Sequence, residues 1–216
     1  MMRDEGVIKY VGHWQPGPAV STPLMAPLMA GRDRLYDAGL VGAYPDGIGY
    51  GNVSVRLPTG GFLISGTQTG ALPQTGPEHY SLVDQWDIAA NRLHCTGPIK
   101  ASSESLTHGA LYDHDPAIGA IAHGHHPDLW AYYRDRLPTT CPSVPYGTPA
   151  MAAEMIRLFH DTDLPQRRVL VMAGHEDGVL AFGPTVAAAV QGLLDLQQQF
   201  QKSLQTLNSP EGQRYG

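Results

Sequence analysis

Cysteine is nearly missing from this chain: Cys95 and Cys141 are the only two in 216 residues, and they form no CxxC spacing. That excludes a disulfide framework and a cysteine zinc knuckle, and it is compatible with a reducing compartment. Any metal must therefore be held by histidine or carboxylate. Runs of Lys or Arg are absent too, and the formal net charge is -6, so neither nucleic acid nor an anionic membrane finds an electrostatic footprint. No uninterrupted apolar stretch approaches the roughly 18 residues that span a bilayer; Pro27 cuts the run from Pro23 to Ala30. The opening MMRDEGVIKY places acids where a secretory leader carries bases, so a cytoplasmic protein with a small-molecule partner is expected. A GxGxxG fingerprint is lacking as well. Gly47, Gly49 and Gly51 are followed by Asn52 with no helix opening there, which argues against a dinucleotide site.

What remains is an ordinary globular composition, 42% hydrophobic, enough for one domain over residues 1–216 without staples. Residues 1–23 read as an extended arm with a patch at Val7–Val11, then a loop rich in Pro and Gly. Leu24, Leu28 and Leu35, with Gly39 and Gly42 beyond, predict a helix ended by a glycine cap. Alternation in Asn52–Leu57 and Gly61–Ser65 predicts a hairpin around Pro58-Thr59-Gly60. Further strands are expected at Leu82–Ile88, Leu93–Thr96, Ala117–His125, Val169–Ala173 and Val179–Phe182. Helices are expected from a Ser102 or Ser103 cap to Asp113, from Pro127 to Arg136, from the Thr148 cap with Pro149 behind it, and over 184–208, stopped by Asn208-Ser209-Pro210. Hairpins interspersed with helices indicate an α/β or α+β domain with a mixed, largely antiparallel sheet.

Two strings carry the chemistry: Ala122-His123-Gly124-His125-His126 and Ala173-Gly174-His175-Glu176-Asp177-Gly178. Residues i and i+2 of a strand project from one face about 6 to 7 Å apart, so His123 and His125 converge on one point. His175, at the end of the next apolar strand, is the natural third ligand, and three protein ligands with an open position is the catalytic arrangement of zinc. Two strand histidines also line polar clefts without any metal; the third histidine favours the metal. His126 points to the opposite face where the strand continues and reads as structural or as a support behind the ligands; His108, one turn after Glu104 on the same face, is within reach of the site, with a structural hydrogen bond the favoured reading. An acid at a helix start is favoured by the dipole alone, by about 0.3 to 1 kcal/mol; the neighbouring Ser102 and Ser103 tip Glu104 toward catalysis.

Together with Gly51-Asn52-Val53-Ser54-Val55-Arg56, Ile64-Ser65-Gly66-Thr67 with Gly70, and Ser102-Ser103-Glu104 with His108 and Tyr112, these strings resemble the class II aldolase/adducin family, in its order, over about residues 24–190. The resemblance implies a three-layer α/β/α single domain with a mixed, mostly antiparallel central sheet, and a homo-oligomer, commonly a cyclic tetramer. It implies Zn²⁺ or another divalent ion on His123, His125 and His175, with Glu104 as acid/base. The substrate's phosphate would lie against Gly51, Asn52, Ser65, Gly66, Ser102 and Ser103. Glycines and small hydroxyl residues at turns do receive anions through backbone N–H groups, without lysine. The implied reaction is aldol or retro-aldol cleavage of a hydroxylated keto compound, a sugar phosphate among the candidates, through an enediolate that a Lewis acid stabilises. The alternatives are a 4-epimerase, which in the family has aspartate where Glu104 stands, a dehydratase or decarboxylase on the same site, or a non-catalytic adducin-like interaction domain.

Two departures stand out. Ala101 occupies a position where the family has proline, and Glu176 and Asp177 follow His175 where glycine is frequent, which enlarges the turn and brings two carboxylates beside the metal. Tyr132, Tyr133 and Tyr215 are candidates for a catalytic hydroxyl.

Overall fold

Period-two alternation in the strands sends successive residues to opposite faces of a sheet, and here both faces are apolar, so both must be covered. The computed structural model describes residues 7–207. Its elements in chain order are β1 (Val11–Pro16), α1 (Met25–Asp37), β2 (Gly42–Ala43), β3 (Gly49–Tyr50), β4 (Asn52–Arg56), β5 (Phe62–Ser65), β6 (Tyr80–Asp87) and β7 (Arg92–Gly97). There follow α2 (Ser105–His114), β8 (Ala120–His125), α3 (Pro127–Tyr133), α4 (Pro149–Asp161), α5 (Leu164–Arg167), β9 (Val169–Val171), β10 (Gly178–Gly183) and α6 (Val186–Leu207).

Eight strands form one sheet in the order β1-β7-β6-β5-β4-β8-β10-β9, with β2 and β3 paired separately. The β1–β7 pair is parallel and the other neighbours in the sheet are antiparallel. Val53, Val55, Ala122, Val179 and Ala181 pack with apolar residues of α1, α3 and α6. Their neighbours Ile64, Ile121, Leu180 and Phe182 pack with residues of α2, α4 and α5. The result is the expected α/β/α sandwich.

Most elements fall where the residue pattern places them. α1 ends as Gly39 turns left-handed at φ +73°, and Thr148 caps α4 by accepting from Met151 N–H at 3.2 Å. The N-terminal strand lies later than the extended patch suggests, at Val11–Pro16, and it joins the sheet edge beside β7. α2 starts at Ser105, and neither serine caps it in the expected way: Ser102 Oγ accepts from Glu104 N–H at 3.3 Å, so Ser102–Glu104 form a turn ahead of the helix. The stop signal at Asn208-Ser209-Pro210 lies outside the described residues.

Candidate metal centre and active site

Ile121 faces the α2 and α4 layer, so the odd-numbered residues of β8 that follow it, His123 and His125, face that layer as well. β8 is central in the sheet, flanked by β4 and β10, with His123 opposite both Asn52 and Leu180. His175 enters from the turn between β9 and β10. That turn is closed by His175 N–H on Met172 O (3.0 Å) and Gly178 N–H on His175 O (3.0 Å). It lies so tightly against the loop between α3 and α4 that a Cβ on Gly174 would stand 1.8 Å from Val144 O. Only glycine fits there.

The three rings meet with centroids 4.8, 5.0 and 4.6 Å apart, and their ligating atoms all lie within 4.8 Å of one another. All three side chains are buried. His123 Nδ1 lies 3.0 Å from Val179 O and must be the protonated nitrogen that donates to it. His125 Nδ1 lies 2.8 Å from the Tyr44 hydroxyl, which also reaches Asp177 Oδ2 at 3.2 Å. With that hydroxyl donating to the carboxylate, His125 Nδ1–H donates to the hydroxyl. Both Nε2 atoms are then lone-pair acceptors, and they face each other at 2.9 Å. With His175 they form a buried set of three imidazoles whose nitrogens converge, and that donor set fits a divalent metal. Burial, then the charges of His175 and His108, hold His123 well below the ordinary histidine value. It stays in the neutral form that ligates.

Glu104, just ahead of α2, is buried with Oε1 3.7 Å from His175 Nδ1. Gly51, Asn52, Gly66, Ser102, Ser103 and Glu104 line one cleft together with Gln68, Thr69 and Gly70. Asn52 Oδ1 is buried with no protein partner among the described residues, as an acceptor that awaits a ligand would be. Ser65 stands apart from this group, its hydroxyl accepting from Val53 N–H at 3.2 Å. Behind the cleft, the buried Arg32 donates to Thr69 O (2.7 Å), Gly70 O (2.9 Å) and Leu72 O and so fixes the loop that forms one wall.

His126 caps α3 by accepting from Leu129 N–H at 3.3 Å, and His108 Nδ1 lies 2.7 Å from Ser54 Oγ. Both are structural, as their positions in the sequence suggest. Tyr132 and Tyr133 pack in the opposite layer, Tyr132 against Phe200, and Tyr215 lies outside the described residues. The tyrosines at the cluster are instead Tyr44, Tyr50, which lies over His125, and Tyr146, which stacks on His175. Glu176 and Asp177 also part company: Glu176 is exposed, and only Asp177 is buried against the site.

Residues 33–204 match the model of the class II aldolase and adducin N-terminal domain. The chain belongs to that family. Its enzymes include metal-dependent lyases, aldolases and dehydratases among them. A curated relative, methylthioribulose-1-phosphate dehydratase of Gluconobacter oxydans (strain 621H), is 40% identical over 77 residues, which are 35% of this chain and 33% of the relative. The chain thus matches about a third of that enzyme's length. Among solved structures, the YgbL protein of Klebsiella pneumoniae, described as a putative aldolase/epimerase/decarboxylase, superposes with a TM-score of 0.64 at 22% identity, covering 87% of this chain and 90% of that one. The L-fuculose-1-phosphate aldolase of Thermus thermophilus gives 0.61 at 21% identity, covering 85% and 94%. These likenesses establish the shared fold. Among the described residues no helix is long and apolar enough to cross a membrane.

Proposed function

We propose that this family member is a zinc-dependent lyase that cleaves or forms a carbon–carbon bond beside the carbonyl of a hydroxylated keto compound, a sugar phosphate being the best-fitting class. The observation that carries the reading is the convergence of His123, His125 and His175, whose ligating atoms lie within 4.8 Å of one another, with Glu104 3.7 Å from His175 Nδ1. His123, His125 and His175 would hold the ion. Such an ion supplies Lewis acidity to negative charge that develops on substrate oxygens.

The chain's own groups account for the remaining tasks. Asn52, Ser102 and Ser103, with the backbone of Gly51 and Gly66, receive the anionic end of the substrate, where hydroxyls and N–H groups bind phosphate without a lysine. Glu104, buried beside the cluster, holds or moves the proton at the reacting carbon or hydroxyl. A positioned carboxyl group of this kind contributes roughly 10²- to 10⁴-fold. Ser65 supports the strand pair behind the cleft through Val53.

Loss of water from a phosphorylated keto sugar is the second reading, favoured by the 40% identity to a dehydratase over 77 residues. Both reactions need an acid/base beside a polarised oxygen, and the products separate them. Purified protein should carry close to one zinc per chain. Incubation with phosphorylated and unphosphorylated keto sugars, followed by mass spectrometry, distinguishes release of an aldehyde fragment from loss of water. A double His123→Ala, His125→Ala variant that keeps both metal and activity would overturn the proposal. The proposal extends to a homotetramer, so light scattering should return four times the chain mass of 23.3 kDa.

A further inference from the structure

An acidic turn stands beside the histidine cluster. Asp177 follows His175 by two residues and holds a left-handed backbone, φ +67°, a conformation that Asp and Asn adopt more readily than other residues with a side chain. Its carbonyl accepts from His126 N–H at 3.0 Å, which fastens the His175 turn to the end of β8. Its buried carboxylate accepts from the Tyr44 hydroxyl at 3.2 Å, and that hydroxyl stands 2.8 Å from His125 Nδ1. One side chain therefore touches, through a single hydroxyl, the nitrogen that sets the tautomer of His125.

We infer that Asp177 and Tyr44 form a carboxylate–phenol–imidazole relay that presents His125 Nε2, and not its N–H, to a divalent cation. Both are positioning residues for metal binding. The inference rests on the metal site proposed above.

The physical case follows from donor counting. A neutral imidazole has one N–H, and the partner of one nitrogen decides which form the other takes. Val179 O does this for His123 directly. His125 has a hydroxyl as partner, which donates or accepts with equal ease. Its contact with Asp177 sets its direction, since an ionised carboxylate accepts only. Asp177 thus turns an ambivalent hydroxyl into an acceptor for His125 Nδ1–H, so that Nε2 presents its lone pair. Outer partners of this kind are worth roughly 10- to 100-fold in metal affinity.

Tyr44→Phe removes the acceptor and should weaken Zn²⁺ binding by about 10- to 100-fold, measured by competition with a chromophoric chelator. Asp177→Asn keeps the volume and a residue suited to the left-handed backbone but replaces the acceptor-only group with an amide; it should lie between Tyr44→Phe and the parent chain. Co²⁺ loaded in place of zinc should show an altered ligand-field spectrum in both variants, which a purely structural role would not produce. Zn²⁺ affinity within twofold of the parent in both variants, with unchanged Co²⁺ spectra, would overturn the relay. Should Tyr44→Phe fail to fold, Asp177→Asn decides alone. The parent chain and His123→Ala separate the two readings: a parent that binds no Zn²⁺ removes the metal site and the relay with it. A parent that binds where His123→Ala does not, beside variants that bind normally, removes only the relay.

Discussion

The ring of Tyr146 lies over that of His175, with centroids 4.2 Å apart and planes inclined by 19°. Lys9 Nζ stands 3.7 Å from the same tyrosine ring, and Val7 N–H donates to the Tyr146 hydroxyl at 3.1 Å. Tyr10 extends this contact by donating to Ala101 O (3.2 Å) and Ser102 O (3.3 Å). Residues 7–10 therefore rest on groups that border the cluster, although they lie outside the family match at 33–204.

Tyr146→Ala should remove the surface on which His175 packs. Truncation of a buried aromatic costs about 3 to 5 kcal/mol, and the expected result is a lower unfolding midpoint in denaturant together with weaker metal binding. Tyr146→Phe keeps the ring that packs on His175 while losing the hydroxyl contacts to Val7, and should retain metal affinity within about twofold.

Glu104→Gln preserves shape and burial while removing the proton-carrying carboxylate. Metal content should be unchanged, and turnover should fall by roughly 10²- to 10⁴-fold. Steady-state rates paired with elemental analysis check this; equal losses of metal and rate would instead make Glu104 a ligand.

Acid should destabilise the fold through His108. Burial pushes it down to about 3 from an ordinary 6.5, so below pH 6.5 the unfolded chain takes up a proton that the folded chain refuses. Stability from this group is complete above pH 6.5 and falls by about 1.4 kcal/mol per pH unit as the pH drops toward 3. His108→Asn should flatten the pH dependence of chemical unfolding by one proton between pH 6.5 and 5, a difference of about 2 kcal/mol over that interval.

Arg32→Met should strand the carbonyls of Thr69, Gly70 and Leu72, which the guanidinium now satisfies. Hydrogen bonds to a buried charge are worth about 1.5 to 3 kcal/mol, so a loss of at least about 3 kcal/mol is expected in urea titrations. The freed loop forms a wall of the cleft, and KM should rise more than kcat falls.

The strands, most helix starts and the histidine set were legible because each rests on short-range spacing: period two in β8, an N-cap followed by Pro in Thr148-Pro149, and glycines at turns; the α/β/α layering was legible only through the family resemblance. Tyr44, Tyr146 and Asp177 were not legible as a group. Tyr44 meets His125 across 81 residues and Asp177 across 133, and no local pattern signals such contacts. Arg32 is hidden for a related reason. It stands beside Asp33 and Arg34 on a helix that reads as amphipathic, yet it faces inward because the carbonyls of a loop some 40 residues later need a donor. The pairing of β1 with β7 joins segments about 80 residues apart, which edge-strand composition alone does not specify.

The alternation that aims His123 and His125 at the α2 layer has a bearing on how errors in folding would show themselves. Ala122 and Gly124 occupy the intervening positions of β8, and a one-residue slip against β4 or β10 would send both imidazoles into the apolar layer beneath α1 and α6 and present alanine and glycine in their place. On the proposed metal site, occupancy by a divalent ion would serve as a reporter of strand register: chains whose central strand is out of step would keep normal helix content and bind no metal at this cluster.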